Sequence, residues 1–327
     1  MKLLVTGGAG FIGSNFVRLC MNEYSDCSIV NLDKLTYAGN LENLKEFEKN
    51  PRYRFVRGDI GDADLVLSLM KEGIDAVVHF AAESHVDRSI HDPAVFLQTN
   101  ILGTHNLLKC ARDASVSLFL QVSTDEVYGS LGPQGLFSEQ SPLQPNSPYA
   151  ASKASADLVC RSFFETYSFP VIITRCGNNY GPYQFPEKLI PLFITNLLDG
   201  IPVPIYGDGL NVRDWIHVED HCRAIDTVLR KGRPGEIYNV GSRQEKNNLQ
   251  ITEILFSQLQ KPDTLKKFVK DRLGHDRRYA IDPTKLEQQL GWRPRLSFEQ
   301  GIEDTIAWYR NNEDWWRLIK EKLLKVH

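Results

Sequence analysis

Short apolar runs rich in β-branched residues alternate with longer helix-like stretches through the first half of the chain. The apolar runs are MKLLVT, CSIVNLD, YRFVRGDI, IDAVVHFAA, VSLFLQVSTDEVYG and FPVIITRC. The longer stretches between them are DLVLSLMKEG, AVFLQTNILGTHNLLKCARDA and SPYAASKASADLVCRSFFETY. Strands that alternate with helices form a parallel sheet with helices on both faces. The pattern therefore predicts an α/β fold built on a doubly wound parallel sheet.

The second half of the chain has a looser rhythm. From Asn178 onward the sequence enters loops rich in Pro, Gly and Tyr, and GEIYNVG then indicates a return to the sheet. LSFEQGIEDTIAWYRNNEDWWRLIKEKLLK indicates an amphipathic helical ending. We expect a larger N-terminal domain at residues 1–177, to which residues 212–242 return. Residues 178–327 are expected to form a smaller, mixed α/β domain.

Composition and charge limit the classes of function. The 327 residues are 42% hydrophobic and 24% charged, with a formal net charge of −3. A mildly acidic chain without a basic block is a poor partner for nucleic acid or an anionic membrane. Glycines follow the first apolar residues too soon for a signal peptide, and no apolar run approaches the length of a membrane span. We therefore expect a cytoplasmic protein.

Cysteines and histidines give no sign of a metal site. The six cysteines lack CxxC spacing, and the eight histidines lack the spacing of metal ligands. Cysteines scattered in this way usually act as small buried hydrophobes rather than as disulfides or zinc ligands. We therefore predict no metal.

A glycine-rich turn follows the first predicted strand, in TGGAGFIG. Gly7, Gly10 and Gly13 would let backbone N–H groups approach a diphosphate, and the following helix would offer its positive N-terminal end. Asp33 ends the second strand about 20 residues later, where a carboxylate binds the ribose hydroxyls of adenosine and repels a 2′-phosphate. These features favour NAD over NADP, although Lys34 weakens the preference. The alternative is a tight turn without a ligand, because many such turns carry glycines.

Tyr149 and Lys153 form a YxxxK pair in SPYAASKASADL. Residues four apart share one face of a helix. The Lys153 ammonium can therefore lower the pKa of the Tyr149 phenol and hold the ribose of a nicotinamide. A phenol with a lowered pKa is a suitable base for an alcohol proton as hydride leaves the same carbon. Taken alone, such a pair is more often an exposed pair on a helix.

Two neighbouring acids, Asp125 and Glu126, stand where the VSLFLQVST strand leaves the core. Charges at such a place cost solvation free energy unless they are paired or used. Because like charge raises one pKa, two close carboxyls can share a single proton and act as an acid and a base. The alternative is a surface turn, or a pair of salt-bridge partners for arginines.

Together the segments TGGAGFIG, HFAAESHVDRS, STDEVYG, YxxxK and RCGNNYGPYQFPEKLIP resemble the extended short-chain dehydrogenase/reductase family. The resemblance runs from Met1 to roughly Trp308 and implies a Rossmann-type sheet. In this family the 4-epimerases usually carry Ser–Ser–Ala or a similar triplet where this chain has Thr124, Asp125 and Glu126. The chain is therefore most similar to those members that are nucleotide-sugar 4,6-dehydratases.

The resemblance implies a role for each catalytic residue. Tyr149, with NAD, would oxidise the C4 hydroxyl of dTDP-glucose, while Lys153 holds the cofactor and Thr124 hydrogen-bonds the C4 oxygen. Glu126 would then remove the C5 proton, and a protonated Asp125 would expel the C6 hydroxyl as water. Return of the hydride to C6 would give dTDP-4-keto-6-deoxyglucose. NAD is regenerated in this cycle and is expected to stay tightly bound.

The resemblance also implies which residues surround each ligand. Besides Tyr149 and Lys153, the residues expected around NAD are Gly7, Gly10, Phe11, Ile12, Gly13, Asp33, Lys34, Leu35, Thr36, Asp59, Ile60, Phe80, Ala81, Ala82, Ser84, Thr99 and Asn179. Besides Thr124, the residues expected around the nucleotide sugar are Ser84, Asn178, Lys188, Leu189, Pro204, Ile205, Tyr206, Arg213, Asn248, Asp271, Arg272, His275 and Tyr279. The N-terminal domain is thus the expected NAD-binding domain, and the C-terminal domain the expected nucleotide-sugar-binding domain.

Three other functions stay open at the level of sequence. Another nucleotide hexose, such as UDP-glucose, is an alternative substrate, because sequence alone resolves base recognition poorly. A nucleotide-sugar 4-epimerase or decarboxylase is a second alternative, and the Asp125–Glu126 pair argues against it. A non-catalytic NAD-binding regulator is the third; it would have no need to keep Tyr149, Lys153 and both acids together.

Two helix-like stretches indicate a partner. AVFLQTNILGTHNLL and SPYAASKASADLVCRSFF carry apolar residues on more than one face. In the family that this chain resembles, such helices form a four-helix bundle between two subunits, so a homodimer is expected. The alternative is burial of these faces inside a single subunit.

Overall fold

The computed structural model describes residues 1–324, with side chains described through residue 321. Its strands are β1 (Lys2–Thr6), β2 (Ser28–Asp33), β3 (Tyr53–Arg57), β4 (Ala76–His79), β5 (Leu118–Thr124), β6 (Val171–Cys176), β7 (Asn178–Tyr180), β8 (Val203–Tyr206), β9 (Val212–His217), β10 (Ile237–Val240), β11 (Glu245–Asn247) and β12 (Lys266–Val269). Its α-helices are α1 (Phe11–Glu23), α2 (Ala63–Met70), α3 (Val86–His91), α4 (Pro93–Phe96), α5 (Thr104–Asp113), α6 (Pro148–Tyr167), α7 (Leu189–Leu198), α8 (Val218–Lys231), α9 (Asn248–Leu259), α10 (Thr284–Leu290), α11 (Phe298–Asn311) and α12 (Glu313–Leu324). Lys325, the last residue of the predicted helical ending, lies outside the described residues.

Seven parallel strands form the main sheet, in the order β10-β6-β5-β4-β1-β2-β3. Every pairing within it is parallel. The strands are short apolar runs because a parallel sheet is buried on both faces, and all six residues of β6 are buried. The predicted doubly wound parallel sheet is confirmed, and GEIYNVG supplies the strand that pairs with β6.

Helices cover both faces of the main sheet. One apolar cluster joins the sheet to α1, α8 and α10, and it includes Phe16 and Ile225. A second cluster joins the sheet to α2, α5 and α6, and it includes Leu107. Neighbouring strand residues point to opposite faces, so that Phe119 belongs to the second cluster and Leu120 to the first. The main sheet is therefore the middle layer of three.

A smaller unit of mixed α/β structure stands beside the main sheet. Strands β11, β9 and β7 form a sheet with one antiparallel and one parallel pairing, and β8 pairs with β12. Helices α7, α9, α11 and α12 surround a third cluster that includes Phe193, Leu255 and Trp316. Residues 212–242 were predicted to return to the first domain. Within this segment, α8 and β10 lie with the main sheet, but β9 lies in the smaller sheet.

The stretch AVFLQTNILGTHNLLKCARDA is helical, as predicted, but not uniform. It consists of α4, a π-helical segment (Leu97–Gly103) and α5. Asn100 faces inward from the π-helical segment, where it accepts the Glu83 N–H at 2.9 Å and donates to the Ser152 hydroxyl at 2.8 Å. Single π-turns are frequent at functional sites, and Thr99 of this segment lines the cavity described below.

The C-terminal helices reach back to the glycine-rich turn. Trp315, on α12, donates its indole N–H to Asn43 Oδ1 at 2.9 Å. Asn43 is buried in a 3₁₀ segment (Leu41–Phe47), and its Nδ2 donates to the carbonyl oxygen of Ala9 at 2.9 Å. A two-bond connection therefore joins α12 to the turn between β1 and α1.

The cysteines pack as small hydrophobes, as predicted. All six are buried and free. Within residues 1–324, no group of three or more His, Cys, Asp or Glu side chains is arranged to hold a metal ion. None of the described helices is long and apolar enough to cross a membrane.

Candidate active site

A cavity of about 660 Å³ opens along one edge of the main sheet. Residues that end β2 and β5, or that follow β1, β4 and β6, line it, so it lies at the carboxyl ends of these strands. In open parallel sheets, ligands bind at this edge, beside the point where the strand order reverses. Here the order reverses between β1 and β4. The opposite wall of the cavity comes from the smaller unit.

The cavity brings together most of the residues predicted around the two ligands. All the predicted catalytic residues line it, and so do all the predicted binding residues except three: Leu35, Asp271 and Tyr279. Asp271 pairs with the ring of His275 at 2.6 Å. The ring of Tyr279 lies 4.3 Å below the Arg213 guanidinium. These two residues thus stand behind side chains that line the cavity and hold them in place.

The glycine-rich turn is packed too tightly for side chains. Gly7 has a φ of +71°, and a Cβ atom there would lie 2.6 Å from the backbone nitrogen of Ala81. A Cβ atom at Gly13 would lie 2.4 Å from the Gly7 carbonyl oxygen. Gly10 is the N-cap of α1, and no side chain caps this 13-residue helix. The first N–H groups of α1 therefore stay available to an anion, which fits the diphosphate of a dinucleotide.

Asp33 ends β2 in the cavity, with its carboxylate fixed by the backbone. Oδ2 accepts the Ala9 N–H at 3.0 Å, and Oδ1 accepts the Leu35 N–H at 2.8 Å. Burial raises the pKa of Asp33, and these two N–H groups lower it. Lys34 pairs with Asp59 at 2.7 Å, so its ammonium is engaged by a carboxylate. The arrangement fits the ribose hydroxyls of adenosine and hence NAD.

Tyr149 and Lys153 lie on α6, whose first turn is capped by the Ser147 hydroxyl. Lys153 Nζ donates to the Val122 carbonyl of β5 at 2.8 Å. Burial and the nearby Glu126 raise the pKa of Tyr149 well above its ordinary value. The expectation that Lys153 lowers this pKa is therefore not met by the protein's own groups, because burial and the acids outweigh a lysine that is bonded to the strand.

Asp125 and Glu126 begin a 3₁₀ turn (Asp125–Tyr128) that continues directly from β5. The Thr124 hydroxyl accepts the Glu126 N–H at 3.3 Å and donates to Asp125 Oδ1 at 3.3 Å. Because this turn replaces the alternation of the strand, both acids line the same cavity. Asp125 is 1% exposed, and its Oδ2 has no hydrogen-bond partner among the described residues. An orphaned carboxyl oxygen costs free energy, so it is typical of a group that acts on a ligand.

The two carboxyls differ in their electrostatic surroundings. Burial and the neighbouring Glu126 raise the pKa of Asp125 well above its ordinary value, which favours the protonated form. Burial also raises the pKa of Glu126, but cations of the smaller unit offset part of the rise. The cations are Arg272, Arg213 and Lys188. Glu126 is therefore the more easily ionised of the two, which is the division between acid and base that the sequence predicts.

The wall opposite the main sheet is positively charged. Arg213, on β9, is buried and donates from Nη2 to the Asp276 carbonyl at 2.9 Å. Lys188 Nζ donates to the Ser84 carbonyl at 3.0 Å. Arg272 Nε is buried without a hydrogen-bond partner among the described residues. Arginine and lysine side chains grouped in this way match the charge of a nucleotide diphosphate.

Sequence analysis missed one polar group at the cavity, formed by Tyr37, His85, Arg88 and Glu187. His85 Nε2 and Arg88 Nη2 each lie 3.6 Å from Glu187 Oε2. Arg88 also lies 3.8 Å from the centre of the Tyr37 ring. All of these except Arg88 line the cavity. They come from three separate segments, so no local spacing indicates the group, although His85 and Glu187 each adjoin a residue that was predicted.

The parallel sheet, the glycine-rich turn, the YxxxK pair and the buried acid pair define an enzyme of the extended short-chain dehydrogenase/reductase class. The family model for GDP-mannose 4,6 dehydratase matches residues 4–305. A dTDP-glucose 4,6-dehydratase from Actinoplanes sp. is 52% identical over 321 residues, covering 97% of this chain and 100% of that protein. The chain belongs to the family of the dTDP-glucose 4,6-dehydratases.

Solved structures agree with this assignment over almost the whole chain. A dTDP-glucose 4,6-dehydratase from Streptomyces venezuelae, crystallised with NAD and a second ligand (TYD), has a TM-score of 0.95 at 55% identity. The match covers 98% of this chain and 100% of that one. A dTDP-glucose 4,6-dehydratase from Bacillus anthracis in complex with NAD has a TM-score of 0.92 at 50% identity, covering 98% and 99% of the two chains. The Rossmann-type fold is thereby confirmed.

The carboxylate of Asp33 provides a test of cofactor choice. We expect Asp33→Asn to weaken NAD binding by about 10- to 100-fold, because a hydrogen bond to a charged acceptor contributes about 1.5–3 kcal/mol. NADP binding should weaken less, since the substitution also removes a charge that repels the 2′-phosphate. Calorimetric titration of the cofactor-free protein measures both affinities. Asp26→Asn, on the surface, is the control, and an unchanged NAD affinity in Asp33→Asn would contradict this assignment.

Proposed function

We propose that this enzyme converts dTDP-glucose to dTDP-4-keto-6-deoxyglucose and water, with a bound NAD that is regenerated in every cycle. The observation that carries the proposal is the acid pair. Asp125 and Glu126 lie in one cavity with Tyr149, and their surroundings favour different protonation states. Oxidation or epimerisation at C4 alone has no need of such a pair. The reaction named for the family's close relatives supports the same conclusion.

The first step is oxidation at C4 of the glucose ring. When bound, NAD accepts hydride at this stage, returns it later, and supplies a positive charge that favours the Tyr149 phenolate. Tyr149 takes the proton of the C4 hydroxyl, and Thr124 hydrogen-bonds the same oxygen. Lys153 holds the nicotinamide ribose. Burial and the acids raise the Tyr149 pKa and so disfavour the phenolate, and a positive charge beside the phenol would offset this effect.

The second step is loss of water across C5 and C6. The C4 ketone acidifies the C5 hydrogen, and the C6 hydroxyl lies β to that ketone, so elimination needs one base and one acid. Glu126, the more easily ionised carboxyl, takes the C5 proton. Asp125 gives its proton to the departing C6 hydroxyl. Glu126 returns its proton to C5 as hydride reaches C6, and one proton passes from Tyr149 to Asp125 to reset the site.

The two ligands would be held by different parts of the chain. We propose that residues 1–177, together with α8 and β10 of the predicted returning segment 212–242, bind NAD, and that the rest of residues 178–327, including β9, binds the nucleotide sugar. The placement of α8 and β10 with the main sheet supports the first assignment. The cations Arg213, Arg272 and Lys188 on the opposite wall support the second.

A second copy of the chain is the proposed partner. Leu97, Leu102, Leu158 and Tyr167 leave 47%, 54%, 56% and 52% of their surfaces exposed on the π-helical segment and α6. Large apolar side chains grouped on adjacent helices are typical of a protein contact. We propose that these helices form a four-helix bundle across a two-fold axis. We also propose a cytoplasmic location, because six free, buried cysteines suit a reducing compartment.

Substitution of the acids tests the elimination step. We expect Glu126→Gln and Asp125→Asn to bind cofactor and sugar nucleotide normally but to lose dehydration by at least about 100-fold, since general acid–base groups contribute about 10²–10⁴-fold. Tyr149→Phe should instead block oxidation. Dehydration is followed by the mass of the product, and oxidation by the absorbance of reduced nicotinamide. Near-normal dehydration by both acid variants would contradict their roles.

The pH profile of the wild-type enzyme provides a further check on the same groups. Turnover should rise as pH increases through the pKa of Glu126, which lies above the ordinary glutamate value, because the base must be ionised. It should fall as pH increases through the pKa of Asp125, because the acid must be protonated. The Glu126→Gln variant should lack the rising limb.

Substrate choice is tested with dTDP-glucose and, separately, UDP-glucose, each without added cofactor. We expect loss of one water from dTDP-glucose alone, followed by mass and by the alkaline absorbance of a 4-keto sugar. That result would show base preference and retained NAD together. Dehydration of both would contradict the preference for thymidine, and no reaction with either, even with NAD supplied, would contradict the proposed function.

The bundle is tested by a charge placed on α6. Leu158→Glu should turn a dimer into a monomer in analytical ultracentrifugation, because a carboxylate cannot be buried unpaired between helices. Leu318→Glu is the matched control, since Leu318, on α12, is also 56% exposed. A wild-type monomer, or a dimer that Leu158→Glu leaves intact, would contradict the bundle.

A further inference from the structure

A chain of buried hydrogen bonds begins at the residue that ends the acid-pair turn. Tyr128 closes the turn that Asp125 opens, is 1% exposed, and does not line the cavity. Its hydroxyl donates to Asn239 Oδ1 at 2.8 Å and accepts from Arg175 Nη1 at 3.0 Å. Its ring stacks on Phe137, with 5.0 Å between ring centres. The far end of the turn is therefore fixed both by packing and by two directional bonds.

The same chain continues to the helix that carries the tyrosine base. Arg175 Nε donates to Asp157 Oδ2 at 2.8 Å, and the two side chains are only 4% and 1% exposed. Asp157 lies on α6, four residues after Lys153, and so on the same face one turn later. Asp157 also raises the pKa of Lys153, which burial lowers. One arginine thus links the acid-pair turn to the Tyr149–Lys153 helix.

Stability alone is a weak reason for such an ion pair. Taking two charges out of water costs several kcal/mol per ion, and apolar residues of similar volume often stabilise a protein as well or better. The better-attested use of a buried polar pair is to fix the alignment of the elements that it joins. Here the joined elements are β5 with its terminal turn, β6, β10 and α6. The β5 segment with its turn and α6 together carry all the proposed catalytic side chains.

We propose that Tyr128, through Arg175 and Asp157, is a positioning residue that sets the acid pair against the Tyr149–Lys153 pair. The proposal rests on the proposed function, in which one pair acts at C4 and the other at C5 and C6 of the same sugar. The sugar must therefore lie within reach of both pairs of residues at once, because a sugar that shifts between the two steps would leave one pair out of reach. A misplacement of about 1 Å can cost about 100-fold in rate. Loss of the Tyr128 bonds should loosen the far end of the acid-pair turn, whereas the Arg175–Asp157 pair still holds α6. Elimination should therefore suffer more than oxidation.

The test is Tyr128→Phe, which keeps the stacked ring and removes the hydroxyl that both bonds require. After rapid mixing with dTDP-glucose, reduced nicotinamide should appear at close to the wild-type rate. Its disappearance, which requires elimination, should slow by about 10- to 100-fold. Reduced cofactor should therefore accumulate to a higher level on the variant than on the wild-type enzyme.

The matched control is Tyr238→Phe. Tyr238 is also fully buried, its hydroxyl accepts the Arg233 N–H at 3.3 Å, and it lies next to Asn239 on β10. Its substitution should leave both phases unchanged, although both variants are expected to unfold at somewhat lower temperature. If Tyr128→Phe slows both phases equally, or slows neither, the residue is merely structural and the proposal is overturned. If the wild-type enzyme does not release water from dTDP-glucose, as followed by the mass of the product, the proposed function fails instead.

Discussion

Moving an ionised side chain out of water costs several kcal/mol unless its partners are placed accurately around it. The buried polar side chains at the carboxyl edge of the main sheet are arranged in a way that limits this cost. Lys153, Asp157, Arg175 and Asp125 are all buried there. Lys153 is bonded to a strand carbonyl, and the arginine and Asp157 are bonded to each other. Asp125 Oδ2 and Asp157 Oδ1 are buried without a hydrogen-bond partner among the described residues, and of the two acids only Asp125 lines the cavity. Folding free energy gained elsewhere supports these two unsatisfied oxygens.

Two adjacent residues of nearly identical chemistry acquire different properties from their surroundings. Burial and the Glu126 carboxyl raise the pKa of Asp125 and Arg213 lowers it, whereas Glu126 has three cations of the smaller unit that lower its pKa. The proposed role of the smaller unit therefore extends beyond binding a diphosphate, because the same cations help to decide which acid is ionised. Under the proposed function, a sugar nucleotide that engages these cations would change the balance between the two carboxyls, so that binding and acid–base chemistry would be linked through shared charges.

The parts of the site that depend on local spacing were predictable from the sequence. The glycine-rich turn, the position of Asp33 at a strand end and the four-residue YxxxK spacing can each be recognised within a short segment. The rule that parallel strands end at one edge of the sheet then places these segments together. The group around Glu187 and the bond from Tyr128 to Arg175 were not predictable, because they join segments far apart in the chain. The direction of the Tyr149 pKa was predicted wrongly for the protein alone, since the degree of burial is a tertiary property.

The connection from α12 to the glycine-rich turn has a consequence for the order in which the molecule is completed. Trp315 follows Asn43 by 272 positions, and domains form from the N-terminal side during synthesis. A nascent chain on the ribosome thus builds β1, the turn and α1 long before the indole that braces them has been translated. The glycine-rich turn therefore stays incompletely supported until α12 has been translated.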